Sequence, residues 1–225
     1  METRKIIFSV FLVAISFNAK AQNHLVFYGG LDLYRQGSFE GNYFGSLNFG
    51  TQIYQFKFFA PEIGYDFVFG RLPDREITKN GPQVGLPNAV FRQSFSTSVL
   101  TLNPKLKFGK EDAFLVFSPK YHIGNLKTKA SYYANENDNS NFPRKKYQEV
   151  KNQISYWSFA VGFEGIYISP HFWLGITLNY TNLNIRDNWH ALDFSEYDVK
   201  ADAPGTTTIG FGMRIYYDPF TSEND

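Results

Sequence analysis

The segment from Trp157 to Tyr180 constrains the fold more than any other part of the chain. It holds two strands of alternating polarity, separated only by Ser169 and Pro170. Large apolar or aromatic side chains occupy every second position, and small or polar residues such as Glu164 occupy the others. Because successive side chains of a strand point to opposite faces, each strand has one apolar face and one polar face. A soluble protein buries the apolar face, whereas a membrane barrel presents it to lipid.

The same alternation recurs along the chain and predicts eight strands. They are 24–35, 43–57, 61–70, 94–108, 113–125, the two strands of the 157–180 hairpin, and 206–217. The connections alternate in length: 58–61, 109–112 and 169–170 are predicted tight turns, while 71–91, 126–153 and 186–205 are predicted long polar loops. Within the second loop, 134–146 has the composition of a mobile tip. Short turns at one end and long loops at the other are typical of outer-membrane barrels.

The N-terminus has the pattern of a secretory signal peptide. Arg4 and Lys5 precede a short apolar run over 6–17, and Ala19-Lys20-Ala21 has the small-x-small form of a cleavage site. The apolar run is too short for a membrane-spanning helix. We therefore predict a signal peptide over 1–21, cleavage near Ala21, and a barrel domain over 22–225.

The composition excludes several classes of protein. The 225-residue chain has no cysteine, which rules out disulfide staples and thiolate metal sites. Its formal net charge is +1, so no basic field predicts nucleic-acid binding. With 24 Phe and 15 Tyr it is rich in aromatics, yet its mean hydropathy is negative. A helical membrane protein needs long apolar runs, whereas a barrel needs only alternate apolar positions.

Strand length and the small polar faces favour the membrane barrel over a lipocalin-like barrel or a β-sandwich. Several strands run to a dozen residues, about twice the usual length in soluble proteins. Aromatic residues sit at strand ends, where interface girdles belong: Tyr34, Trp157, Tyr167, Tyr180 and Tyr217. An open sheet would leave unpaired backbone groups in lipid, so the sheet must close. The prediction is an all-β fold, a closed antiparallel eight-stranded transmembrane β-barrel with short periplasmic turns and long extracellular loops.

Four acidic and four basic residues fall on the polar faces and are predicted to line the lumen. Eight strands leave room for side chains but not for a wide channel, and buried charges persist only when they are paired. We therefore expect a salt-bridge network that plugs the barrel, with Glu164 facing Lys120 or Arg214 and His122 nearby; a charged conduction path is the alternative. The predicted lumen network is Asp32, Glu62, Asp66, Lys105, Lys107, Lys120, Glu164 and Arg214.

In its leader, its eight alternating strands and its rhythm of short turns and long loops, the chain resembles the small outer-membrane β-barrels of the OmpA/OmpX type. The resemblance covers nearly all of the mature chain and concerns the barrel only. Thr208 to Tyr217 is similar to the C-terminal strand read by the barrel-assembly machinery, although Phe220 is followed by five polar residues instead of ending the chain. The resemblance implies the outer membrane of a Gram-negative-type bacterium.

Catalysis has little support in the sequence. Some small barrels modify lipid A, and a His-x-Ser pair on one strand would indicate such a deacylase, but no histidine here is followed by x-Ser. The weak catalytic candidates are His190, Asp193 and Ser195 in the last long loop. The scattered histidines predict no metal site and no cofactor.

Binding is the remaining class. The loop 127–153 carries Tyr132 and Tyr133 and the basic cluster Arg144, Lys145 and Lys146, which could contact a protein partner or anionic lipopolysaccharide. The function that the sequence favours is a non-catalytic outer-membrane barrel with a structural or interaction role, as an accessory subunit of a larger membrane-protein complex. A lipid-modifying enzyme, a narrow pore and a soluble periplasmic binder remain as alternatives.

Overall fold

The described part of the chain forms one antiparallel sheet that closes on itself. The computed structural model describes residues 25–77, 88–110, 113–134, 143–204 and 207–220. Its strands are β1 (Val26–Arg35), β2 (Tyr43–Gln52), β3 (Glu62–Arg71), β4 (Arg75–Ile77), β5 (Ala89–Asn103), β6 (Leu106–Lys110), β7 (Ala113–Ala134), β8 (Arg144–Ser169), β9 (Phe172–Asn182) and β10 (Thr207–Tyr217). Strand β1 pairs with β2 on one side and with β10 on the other, which closes the sheet.

The ring has eight members in the order β1-β2-β3-β5-β7-β8-β9-β10, and all neighbours are antiparallel. The short strands β4 and β6 continue β3 and β5 respectively, because β4 pairs with β5 and β6 pairs with β7 beyond the ends of the longer strands. Pro104 lies between β5 and β6 and has no N–H to donate to a ladder. The predicted closed eight-stranded barrel is confirmed.

The two faces of the barrel wall differ as the alternation predicts. The outer face is apolar: Phe163, Leu178 and Ile209, for example, expose more than 60% of their surface. The inner face holds buried polar and charged side chains, including every member of the predicted lumen network. An apolar exterior around a charged interior reverses the arrangement of a soluble barrel, so this wall is built to face lipid.

The two ends of the barrel are built differently. At the turn end, β8 and β9 are joined through Pro170 and His171, and a bulge with Gly165 at a φ of 106° bends the end of β8. At the loop end, residues 183–204 fold over the barrel mouth. This segment, which we call the cap, contains the short helix α1 (Arg186–His190) and a 3₁₀ turn (Ser195–Tyr197).

The prediction of a long polar loop over 126–153 was wrong in part. Strand β7 continues to Ala134 and β8 begins at Arg144, so the two strands pair inside the predicted loop, from Leu126↔Asn152 to Ser131↔Tyr147. Strand β5 runs beside β7 over the same stretch, as far as Ala89↔Ala134. Polar composition hid these strands, because their outer face meets solvent and only their inner face is buried. The hairpin extension, residues 125–134 and 144–155, thus projects from the loop end as ordered sheet.

Other boundaries also moved. The strand predicted over 43–57 ends at Gln52, and the chain then turns back through an antiparallel bridge between Phe56 and Phe59. Strand β5 begins at Ala89, inside the predicted loop 71–91. The predicted signal peptide and most of the predicted tip at 134–146 lie outside the described residues. Within the described ranges, no helix is long and apolar enough to cross a membrane.

Candidate functional site: the filled lumen and its cap

The turn end of the lumen is filled by a group of ion pairs that we call the ion-pair layer. Lys105 is fully buried and lies between two carboxylates: its Nζ donates to Glu62 and lies 3.0 Å from Glu164 Oε1. Lys107 Nζ lies 3.4 Å from Glu164 Oε2, and Arg214 Nη1 lies 3.1 Å from Glu62 Oε2. Each carboxylate therefore faces two bases, which offsets much of the cost of burying it.

Aromatic rings and polar groups complete this layer. Tyr216 donates its hydroxyl to Glu164 Oε1 at 2.6 Å, and Asn103 Nδ2 donates to Glu62 Oε2 at 2.7 Å. The Lys105 ammonium lies 4.6 Å from the centre of the Tyr216 ring, and the Arg214 guanidinium lies 4.9 Å from that of Tyr28. Such cation–π contacts stabilise cations that are out of reach of water.

Nearer the loop end, Asp32 is held by amides instead of bases. Its two oxygens accept hydrogen bonds from Asn48 Nδ2 at 3.0 Å and from Asn179 Nδ2 at 2.7 Å. Gly212 lies opposite Asp32 on β10, and a Cβ at that position would collide with the Asp32 carboxylate. The glycine therefore makes room for the carboxylate. Sequence reasoning missed both amide partners, because nothing in the spacing of Asn48 and Asn179 brings them to Asp32.

A buried histidine lies beside this group and contacts two hydroxyls. His122 Nε2 lies 2.7 Å from Ser158 Oγ, and Nδ1 lies 2.8 Å from Thr101 Oγ1 and 3.4 Å from Asp66 Oδ2. The ring stacks on Tyr156 with centroids 4.4 Å apart. The set resembles a serine–histidine–aspartate arrangement in its residue types. No His-x-Ser spacing could reveal it, because the serine comes from the neighbouring strand.

This histidine group lacks room for a substrate. The cavity that His122, Asp66 and Tyr156 line is about 10 Å³, roughly the space of one water molecule. Ser158 itself is 5% exposed. The arrangement is therefore a set of buried polar groups in which the histidine supplies a partner to both hydroxyls.

Replacing Ser158 with alanine is expected to destabilise the barrel by about 1 to 3 kcal/mol, because the buried His122 Nε2 would lose its hydrogen-bond partner. Urea unfolding of the chain folded into lipid vesicles, followed by tryptophan fluorescence, measures the change. The matched control is Ser155→Ala on the exposed outer face of the same strand, expected within about 0.5 kcal/mol of the parent. Equal stabilities for the two variants would contradict the structural role of Ser158.

The cap closes the loop end with an apolar core. Trp189 on α1 is fully buried, and Phe194 packs edge-on against Phe91 of β5 with ring centroids 4.9 Å apart. Phe44 and Phe95 from the barrel wall and Phe39 from the connection between β1 and β2 extend the same cluster. The cap is therefore a folded lid whose hydrophobic underside continues the core of the barrel mouth.

Polar contacts along its length fasten the cap to the wall. Gln93 of β5 donates its Nε2 to the Asp202 carbonyl at 3.3 Å and accepts from the Asp202 N–H at 3.1 Å. Gln148 of β8 accepts from the Asp193 N–H at 2.7 Å. Asn152 Nδ2 donates to Asn188 Oδ1 at 2.7 Å. These bonds hold the cap at α1, in its middle and near its C-terminal end.

The three weak catalytic candidates lie on the outer surface of the cap. Asp193 Oδ1 accepts from the Ser195 backbone N–H at 3.0 Å and from its hydroxyl at 2.7 Å. These two bonds lower the pKa of the Asp193 carboxyl and organise the local turn. His190 is exposed at the end of α1, and no hydrogen bond in the described part of the chain joins it to Asp193 or Ser195.

The residues predicted to contact a partner are engaged within the protein. Tyr132 is buried and stacks on Tyr197 of the cap, with ring centroids 4.2 Å apart. Lys146 Nζ lies 2.7 Å from Glu196 of the cap. In addition, the Arg92 guanidinium lies over Tyr133 and that of Arg144 over Tyr147, and Lys145 is half-buried. Contact with lipopolysaccharide through these side chains stays a prediction.

Among the residues that the structure describes, no three His, Asp or Glu side chains come together as metal ligands. The lumen carboxylates instead use lysine, arginine and amide partners.

Comparison with known proteins gives structural likeness alone. No protein-family model and no curated protein matches the chain. The chain is similar to a major outer-membrane protein from Thermus thermophilus (10% identity, 86% of this chain and 99% of that one, TM-score 0.49). It is also similar to Neisserial surface protein A (7% identity, 88% of this chain and 99% of that one, TM-score 0.41). A third similar structure is Ail, the attachment invasion locus protein of Yersinia pestis (10% identity, 88% of this chain and 99% of that one, TM-score 0.38).

The closed ring, its apolar outer face and its charged, filled interior define the class of the molecule. It is a small eight-stranded transmembrane β-barrel of the outer-membrane type. Strands can cross a bilayer only when every backbone group is paired, and the β1–β10 seam meets that condition here.

Proposed function

We propose that the protein is a non-catalytic, non-conducting outer-membrane barrel that serves a structural or interaction role through its loop end. The observation that carries this proposal is the filled lumen: an ion-pair layer at the turn end, buried polar groups in the middle and an apolar cap at the mouth. A narrow pore would need a continuous wet path through these layers. The cavity beside His122 holds no more than about one water.

The hairpin extension and the cap supply the interaction surface. They are fastened to each other by the Tyr132–Tyr197 stack and the Lys146–Glu196 ion pair, so the described parts of the hairpin extension and the cap form one joined surface. A surface that is already held by internal contacts loses less conformational entropy when a partner binds. This property suits an accessory subunit that docks against a larger envelope complex.

The purified chain, refolded into a planar bilayer, is expected to give no stable unitary conductance. The same preparation should migrate faster when it is not boiled on a denaturing gel, which establishes that the barrel is folded. Discrete, reproducible channel steps from a folded preparation would contradict the closed lumen. For the accessory role, membranes extracted in mild detergent should show the native chain in a larger particle than the refolded one; equal sizes would favour a solitary barrel.

A further inference from the structure

The outer face of the hairpin extension carries three lysines around a single carboxylate. Lys127 of β7 lies directly opposite Lys151 of β8, and the next outward pair is Lys129 opposite Glu149. These side chains alternate with inward-facing, buried residues such as Leu126 and Thr128, so all four occupy one outer patch. We call the four residues Lys127, Lys129, Glu149 and Lys151 the lysine patch.

The charges within the patch do not balance. Glu149 is diagonal to Lys127 and their charged atoms lie 3.0 Å apart, while Lys129 faces the same carboxylate across the strands. The Glu149 carboxylate therefore lies beside two lysines and also accepts a hydrogen bond from the Tyr147 hydroxyl at 2.7 Å, while Lys151 lies directly opposite Lys127. Like charges directly opposite each other on a sheet are destabilising, so the patch has a net charge of +2 that an external anion would relieve.

Position along the barrel indicates where that anion would be. Tyr121 and Trp157 face each other on these two strands in the apolar outer wall, with ring centroids 4.8 Å apart. Lys127 lies six residues beyond Tyr121, which is about 15 Å above that aromatic pair at a typical rise and tilt. Long lysine stems reach back toward the membrane surface. The patch thus stands over the lipid headgroups that surround the loop end.

We propose that the lysine patch binds the phosphorylated saccharide headgroup of lipopolysaccharide. Phosphate is the anion that several lysine ammonium groups bind well together, through charge-assisted hydrogen bonds. This inference rests on the proposed function only in placing the loop end outside the cell. It also moves the lipopolysaccharide contact away from Arg144 and Lys146, whose charged groups are engaged with the hairpin and the cap.

The test measures binding of purified lipopolysaccharide to the full chain folded in nanodiscs. The variant Lys127→Gln/Lys129→Gln/Lys151→Gln is expected to weaken binding by about 10- to 100-fold. Each of the three substitutions removes the contribution that one lysine makes to binding an anionic surface. The matched control Lys57→Gln/Arg186→Gln/Lys200→Gln removes the same charge from exposed positions elsewhere and should change binding by less than about 2-fold. Glu149→Gln should strengthen it, because the patch would lose its only carboxylate.

Three outcomes would overturn the proposal. Unchanged binding by the patch variant would remove the site, and an equal loss in the control would reduce the effect to net charge. Binding of dephosphorylated lipopolysaccharide or of phosphatidylglycerol vesicles with the same affinity would show that phosphate on the saccharide is not what the patch recognises. For each variant, the gel shift tests separately whether the barrel is folded, and the absence of conductance in a planar bilayer tests whether its lumen is closed. A variant that lost the gel shift or conducted ions would contradict the proposed function and not the lysine patch.

Discussion

Replacing Lys105 with methionine is expected to destabilise the barrel by about 3 kcal/mol, the low end of the cost of breaking a buried ion pair. Lys105 is 0% exposed and pairs with both Glu62 and Glu164. Without it, each carboxylate keeps one base, Arg214 or Lys107 respectively, so the loss is less than that of an isolated charge. Urea titration in lipid vesicles, followed by tryptophan fluorescence, measures the free energy of unfolding.

Two further variants make this prediction specific. Lys127→Met breaks an ion pair whose side chains are about one-third exposed, and it should cost no more than about 1 kcal/mol. Adding Glu164→Gln to Lys105→Met also removes the carboxylate that faces Lys107, so the double variant should be at least as unstable as Lys105→Met alone. If Lys105→Met were no worse than Lys127→Met, the ion-pair layer would not be what holds the turn end of the lumen together.

Replacing Trp189 with alanine is expected to release the cap while the barrel stays folded. Trp189 is fully buried in the apolar cluster under the cap, and removing a buried tryptophan costs about 3 to 5 kcal/mol. The cap is a short segment held mainly by this cluster and by scattered hydrogen bonds, so the cost falls on its local stability. Limited proteolysis should cut within 183–204 faster, while the gel shift of the unboiled barrel persists.

Two further substitutions test whether the apolar volume of Trp189 is what holds the cap. Trp189→Phe keeps most of the apolar volume and removes an indole N–H that has no hydrogen-bond partner in the described structure, so it should be much milder. His190→Ala, at the next residue, changes an exposed side chain and should leave the cap protected. Rapid cleavage in all three variants would mean that the cap is not held by the core beneath Trp189.

The direction in which each side chain points could be read from the sequence. The alternation predicted the correct face for Trp157, Phe159, Glu164 and Arg214, because the side chains of a regular strand alternate with a period of two whichever strands it pairs with. The alternation also predicted which charged residues would be buried. Pairing was then required by the cost of burying a charge, whatever the partners were.

The partners themselves could not be read in the same way. The sequence predicted Lys120 or Arg214 as the base facing Glu164, whereas the structure places Lys105 and Lys107 there. Which base reaches which acid depends on strand register and tilt around the closed ring, and these are long-range properties. The contact between Ser158 and His122 also depends on register, because Ser158 lies on the neighbouring strand.

The sequence by itself determined that this chain forms an apolar-outside, charged-inside barrel, because the two-residue period specifies both faces locally. Only the tertiary structure decided that the presumed loop 126–153 is largely strand, that the last loop folds into a cap, and that three lysines converge on one outer patch. In each case the decisive contacts join residues far apart in the chain. Cross-strand register and the packing of the cap create these contacts, and the composition of a local segment does not predict them.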